Sequence, residues 1–391
     1  MTDTVGIAMT DSLEQTEHFG RKSVWAGIVL GSFVLMVFLI QPLLIGALAG
    51  QGFSEADLGL LAASDLLGMA IASVLGLFWV KRLPWRPVAL VGLLAVIGGN
   101  LLCIGQNDFA SLIALRLLAG LGAGSVVVLT FSIIARTSHP DRYTSFFIAF
   151  EVFSQAIAFT LMANIVTTQG INSLYYLFAG LAAVGVLLVA FVPHSGASEA
   201  LDESGSAVTE PVGRSVLLLI LAAMAIFFLA QSALWAFSER IGADAGLDAE
   251  SIGNVLAITS LFAVAGALLA GWLDLRFGRV LPIAIAAIAQ IVLLALFQGE
   301  MSLVHYAIVF GLFGFFWNLG IPYQVGVLVS HDKELRFAAL IPAFQGIGLA
   351  LGPAMAGAFL GDGSYLPVNI IAGAALLLYL VMIIPFARSS R

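Results

Sequence analysis

The chain has 391 residues, of which 61% are apolar and only 10% charged, with 16 Lys+Arg against 23 Asp+Glu and a formal net charge of -7. A soluble domain carries about 25% charged residues, so a water-exposed globular enzyme is excluded, and an acidic balance without a basic stripe excludes a nucleic-acid binder. The single cysteine, Cys103, excludes a disulfide framework and a cysteine-ligated metal cluster.

Residues 1–23 are polar and lack the apolar core of a signal peptide, so a cytoplasmic tail is expected there. Apolar runs follow at 24–49, 57–80, 87–105, 109–135, 143–167 and 173–193, then at 215–238, 251–273, 280–297, 303–330, 337–361 and 366–386. Each approaches the roughly 20 residues that cross a bilayer as a helix. A transmembrane barrel would instead show short alternating segments. The expected fold class is an all-α integral membrane protein with twelve transmembrane helices. No folded domain outside the membrane fits in the remaining residues.

Basic residues set the orientation. With the N-terminus inside, all of them except Arg116 and Arg240 fall on the cytoplasmic side or in its connections, and acidic residues such as Glu55, Asp108, Asp248 and Glu300 fall outside. Both termini are therefore expected in the cytoplasm. The longest polar connection, 194–213, has the composition of a flexible linker. It separates an N-terminal six-helix bundle, 24–193, from a C-terminal one, 214–387, with a short tail at 388–391.

The halves match at an offset of 194 residues: Gly59 with Gly253, Gly120 with Gly314, Arg142 with Arg336 and Glu151 with Gln345. Near Gly76 the register slips by one, to Gly271. A repeated six-helix bundle is the signature of a secondary transporter, with the solute path between the bundles.

Two motifs carry a resemblance to a known family. Arg116-Leu-Leu-Ala-Gly120-Leu-Gly-Ala-Gly124 resembles the helix 4 motif of the major facilitator superfamily. Gly271-Trp-Leu-Asp274-Leu-Arg276-Phe-Gly278-Arg279 resembles that family's loop motif between helices 8 and 9, and Gly76 through Lys81, Arg82 and Arg86 is a degraded copy between helices 2 and 3. The resemblance covers essentially the whole chain. It implies two pseudo-symmetric bundles, alternating access, and a cytoplasmic conformational motif formed by Gly76, Lys81, Arg82, Asp274, Arg276, Gly278 and Arg279. The chain departs from the family where Val80 and Leu275 replace the loop aspartate and Asp274 stands one residue early. It also lacks the Gly-Pro motif in helix 5 that many of the family's proton antiporters carry, and has Gly352-Pro353 in helix 11 instead.

Charges inside a bilayer mark function by default. Asp65, Arg116 and Glu151 lie well inside spans, all in the N-terminal half. Asp65 and Arg116 sit at matched depth, roughly 12 Å below the outer boundary at 1.5 Å per residue. They form either a fixed structural pair or a proton-sensitive one; Glu151 is the other proton-coupling candidate. The resemblance places helices 1, 4, 7 and 10 around a central cavity. This makes Gln41, Arg116, Gln231, Trp235, Trp317, Asn318 and Tyr323 candidate substrate contacts, with Gln155 and Gln345 from helices 5 and 11. Each amide has an alternative use as an interhelical hydrogen bond worth about 0.6 kcal/mol.

No two histidines have metal-ligand spacing, and there is no phosphate-binding loop. The expected protein is no enzyme and holds no cofactor. It is a monomeric inner-membrane secondary transporter, driven by a proton gradient, whose partners are a small organic solute and the lipid bilayer. Arg116 suggests an organic anion, and the missing Gly-Pro motif suggests proton symport. Proton-antiport efflux of hydrophobic or cationic compounds, a lipid or lysolipid flippase, and a non-transporting membrane sensor are the alternatives.

Overall fold

The computed structural model describes residues 20–80, 82–137, 140–194, 213–332, 337, 340–361 and 364–390. Most of the expected tail and linker, together with Lys81, Lys333 and Arg336, lies outside the described residues. The described residues form twelve long helices and no strand. They are α1 (Arg21–Ala49), α2 (Glu55–Trp79), α3 (Trp85–Cys103), α4 (Phe109–Ile134), α5 (Pro140–Gln169) and α6 (Asn172–Leu188). The second half contains α7 (Arg214–Asp244), α8 (Ala249–Leu273), α9 (Val280–Leu296), α10 (Leu303–His331), α11 (Ile341–Phe359) and α12 (Leu366–Ser389). All but α9, with its 17 residues, are long and apolar enough to cross a membrane. Successive helices run antiparallel, so Arg21 at the start of α1 and Ser389 at the end of α12 lie on one face, called here the N-terminal face.

The sequence writes the helix starts on the opposite face. Ser54 caps α2 by accepting from the Asp57 N–H at 3.2 Å, and Asp248 caps α8 by accepting from the Ser251 N–H at 2.9 Å. Asp108 caps α4 from Ser111 at 2.8 Å, and Ser302 caps α10 from His305 at 3.2 Å. A side-chain oxygen at such a position satisfies one of the orphan N–H groups of the first turn. The two bonds from Ser111 hold the Asp108 carboxyl below the usual carboxylate range. Residues 54 and 248, like 108 and 302, are 194 apart, so the repeat extends to the caps.

Two departures from the expected spans bear on the site. α7 continues six residues past Ser238 to Asp244, which brings Glu239 and Arg240 into the helix. α1 is interrupted at Ile40, where φ is -114°. Pro42 explains the break: it has no N–H to return to the Phe38 carbonyl four residues back.

Of the repeated glycines, Gly59 and Gly253 sit at matching seams between the halves. A Cβ on Gly59 of α2 would collide with the Pro353 carbonyl and the backbone of Gly357 on α11. A Cβ on Gly253 of α8 would collide with Ala163 on α5. Gly314 faces open space. Gly59→Val is expected to lower thermal stability in detergent by about 1–3 kcal/mol, the cost of overpacking a close contact, whereas Gly314→Ala leaves the melting temperature within error.

Candidate transport cavity

The deepest charges are walled into the N-terminal bundle. Arg116 on α4 is fully buried, and its Nε lies 3.4 Å from Asp65 Oδ1 on α2. Its guanidinium donates to Asn100 Oδ1 on α3 at 2.8 Å and lies 5.5 Å from the centre of the Tyr175 ring on α6. Helix pitch explains the arrangement. Arg116, Gly120 and Gly124 are spaced by four and share one face of α4. The two glycines let that face approach α2 so closely that a Cβ at Gly124 would lie 2.7 Å from Met69 Cα, while one at Gly120 would strike the Asp65 carbonyl.

A cavity of about 710 Å³ lies between the two bundles. Its wall comes from α1, α4 and α5 of the first half and α7, α8, α10 and α11 of the second. Neither Asp65 nor Arg116 reaches it. Among the described residues Glu151 on α5 is the one charged side chain in this wall, and it meets neither a cation nor a hydrogen-bond donor. Its repeat partner, Gln345 on α11, lines the same cavity from the other half. Much of the remaining wall is aromatic, including Phe131, Phe147, Phe228, Phe310, Phe313 and Trp317.

The other expected contacts divide into two groups. Gln155, Gln231, Trp235, Trp317, Asn318 and Gln345 line the cavity. Gln231 spends its amide on Gln290, giving and receiving hydrogen bonds at 3.1 and 2.8 Å. The Asn318 amide donates to the Gly314 carbonyl at 3.0 Å, within its own helix. The Trp317 indole N–H is buried without an acceptor among the described residues. Gln41 and Tyr323 lie outside the wall. Gln41 donates to the Ala62 carbonyl at 3.1 Å, and the Tyr323 hydroxyl donates to the Ala270 carbonyl at 3.3 Å.

The cavity has one blind end. Thr144, Val325 and Ile341 place its wall near the N-terminal-face ends of α5, α10 and α11. Its far limit is Phe38, Trp235 and Phe310, about 10–16 Å from the opposite ends of α1, α7 and α10 at 1.5 Å per residue. Beyond them the two halves touch. Arg240 donates to Glu55 Oε1 at 2.9 Å, the Tyr365 hydroxyl donates to the same oxygen at 2.8 Å, and the Glu239 carboxyl rests against Gly46. This polar closure is missing from the sequence-based site. Its signal was Arg240, the lone basic residue in the connections expected outside, which needs an acid from the other half.

The loop motif occupies the N-terminal face. Asp274 follows α8 with φ +47°, a strained backbone for a residue with a side chain. Gly278 (φ +65°) completes the turn. Arg276 lies 4.9 Å from the centre of the Trp272 ring. Arg279 packs on α10, where a Cβ at Gly326 would lie 2.8 Å from its Nε. In the first half, a Cβ at Gly76 would lie 2.9 Å from Val128, Arg82 is exposed, and Lys81 is outside the described residues.

This arrangement matches known proteins at three levels. The family model described as Major Facilitator Superfamily matches residues 24–242. The inner membrane transport protein YajR of Escherichia coli (strain K12) is 25% identical over 335 residues, which cover 82% of this chain and 70% of that protein. The structure of the nucleoside transporter NupG superposes with a TM-score of 0.71 at 12% identity, covering 93% of this chain and 98% of the other. The inward-open xylose transporter XylE from E. coli superposes with a TM-score of 0.68 at 16% identity, covering 93% and 95%.

Proposed function

Because this chain belongs to the Major Facilitator Superfamily and is a transporter of the secondary type, we propose that it exports a hydrophobic, positively charged solute in exchange for protons. The observation that carries this reading is the wall of the central cavity. One carboxylate, Glu151, stands among aromatic rings and amides, with no cationic side chain in the wall among the described residues. Such a wall suits an apolar cation: the rings contribute cation–π attraction and apolar contact, and the carboxylate supplies the countercharge. The alternative organic anion would need Arg116, which the bundle interior encloses.

Exchange follows from competition. A single carboxylate binds a proton or a cation, and each excludes the other. Alternating access then moves one outward when the other moves inward. The cavity opens toward the face rich in Lys and Arg, which the charge bias assigns to the cytoplasm.

The test is flux in proteoliposomes with an imposed pH gradient, comparing ethidium, a fluorescent hydrophobic cation, with benzoate. Ethidium movement that runs against the proton flow, absent from protein-free vesicles, supports the reading. Benzoate movement with the protons, and none of ethidium, overturns it.

A further inference from the structure

The amides of the cavity wall divide by whether the protein already uses them. Gln155 is engaged at both ends: its N–H group donates to the Leu39 carbonyl at 2.7 Å, and its oxygen accepts from the Ser260 hydroxyl at 3.2 Å. Gln231 exchanges two hydrogen bonds with Gln290, and Asn318 donates within its own helix. Gln345 differs from all three. It is half-buried, it lines the cavity, and among the described residues its amide bonds to nothing.

The repeat fixes where this free amide stands. Position 345 is position 151 displaced by the 194 residues of the repeat, and the six-helix halves of such a fold are related by an axis along the membrane normal. Glu151 and Gln345 therefore face the cavity from opposite halves at equivalent depth. They match in shape and differ in charge. A carboxylate takes a cation, whereas an amide offers N–H groups and an oxygen with no net charge. The Trp317 indole adds a second N–H to the same wall, buried without an acceptor among the described residues. A buried donor left unmet is costly, so both donors favour a solute that brings an acceptor.

We propose that the solute has two poles: a positive centre that binds Glu151 and, at the other end of an aromatic body, a neutral hydrogen-bond acceptor of the carbonyl type that binds the Gln345 amide. Gln345 is then the residue that sets specificity among hydrophobic cations. The assignment rests on the reading of the cavity as the site of such a cation and deepens it. Rings such as Phe228, edge-on to Trp317 at 6.4 Å, supply the surface for the body between the poles. One charge contact holds one end of a solute; a second polar contact from the other half fixes its orientation.

The experiment compares two monocations that differ only at the second pole, the 1-methylquinolinium ion and its 6-acetyl derivative, by isothermal titration calorimetry of the purified full-length protein. Gln345→Met keeps the length of the side chain and removes its hydrogen-bonding atoms. No hydrogen bond within the described residues is lost, so the variant is expected to melt with the unaltered protein. The readout is the ratio of the two affinities in each protein, which cancels the extra apolar area of the acetyl group. The preference for the acetyl derivative is expected to be about fivefold larger in the unaltered protein than in Gln345→Met, the effect of one hydrogen bond. Equal ratios in the two proteins, with both ions bound, overturn the second pole and leave the cation reading standing. Binding of neither ion overturns the cation reading itself, and the second pole with it.

Discussion

Glu151→Gln is expected to abolish solute movement driven by a pH gradient while leaving the protein folded. The substitution keeps shape and polarity and removes only the charge. The fold already accepts an amide at the equivalent place, since Gln345 occupies the same position of the second repeat and lines the same cavity. Removing the countercharge of a desolvated cation costs about 2–5 kcal/mol, so ethidium affinity should fall by tenfold or more. The pH dependence supplies a second readout with a definite sign. Proton and cation compete for one carboxylate, so in the unaltered protein ethidium binding strengthens as pH rises and Glu151 gives up its proton. In the variant the profile flattens. Fluorescence titration of purified protein across pH measures both; a variant that keeps the slope of the unaltered protein would rule out Glu151 as the exchanging group.

Arg116→Leu is expected to be the most destabilising single change in the membrane interior. It leaves the Asp65 carboxylate buried without its cation and removes the donor to Asn100. Breaking a buried pair from one side costs about 3–5 kcal/mol, whereas replacing both partners by apolar groups of similar volume is often close to neutral. The combined Asp65→Leu and Arg116→Met variant should therefore melt nearer the unaltered protein than Arg116→Leu does. Its driven transport per folded molecule should persist, because neither residue touches the cavity. A paired variant that folds but exchanges solute without accumulating it would instead assign Asp65 to proton coupling.

The parts of the fold that depend on distance along the chain were legible in the sequence. Twelve apolar lengths became twelve helices, and the 194-residue register reappears at Gly59 and Gly253 and at the four helix caps. Matched depth identified Asp65 and Arg116 as neighbours. What depends on direction around a helix was harder to read. Arg116 lies on a helix that the family resemblance assigns to the cavity, yet it faces away from it. The clue was present in the spacing, because the glycines at 120 and 124 mark the packed face of α4 and Arg116 stands one turn before them on that face. The closure on the opposite face was illegible for another reason. Glu55, Arg240 and Tyr365 come from three distant segments, and only the meeting of the bundles makes them one site. The Pro42 break shows the same limit: proline announces the interruption, but that Trp235 and Gln155 bond the Phe38 and Leu39 carbonyls beside it is decided by tertiary packing.

Under the proposed exchange, the lone carboxylate of the cavity wall also sets an electrical rule for the transport cycle. With a proton bound, or with a monovalent cation bound, the site is neutral, so either loaded form crosses between the two faces without carrying charge through the low-dielectric interior. The empty, ionised form must carry one, and pays for it in solvation. Exchange of one proton for one monocation is therefore electroneutral, driven by the pH difference and indifferent to membrane voltage. A dication or an anion would leave net charge in the occluded site. A cation exchanger built on this one carboxylate would select by valence before it selects by shape.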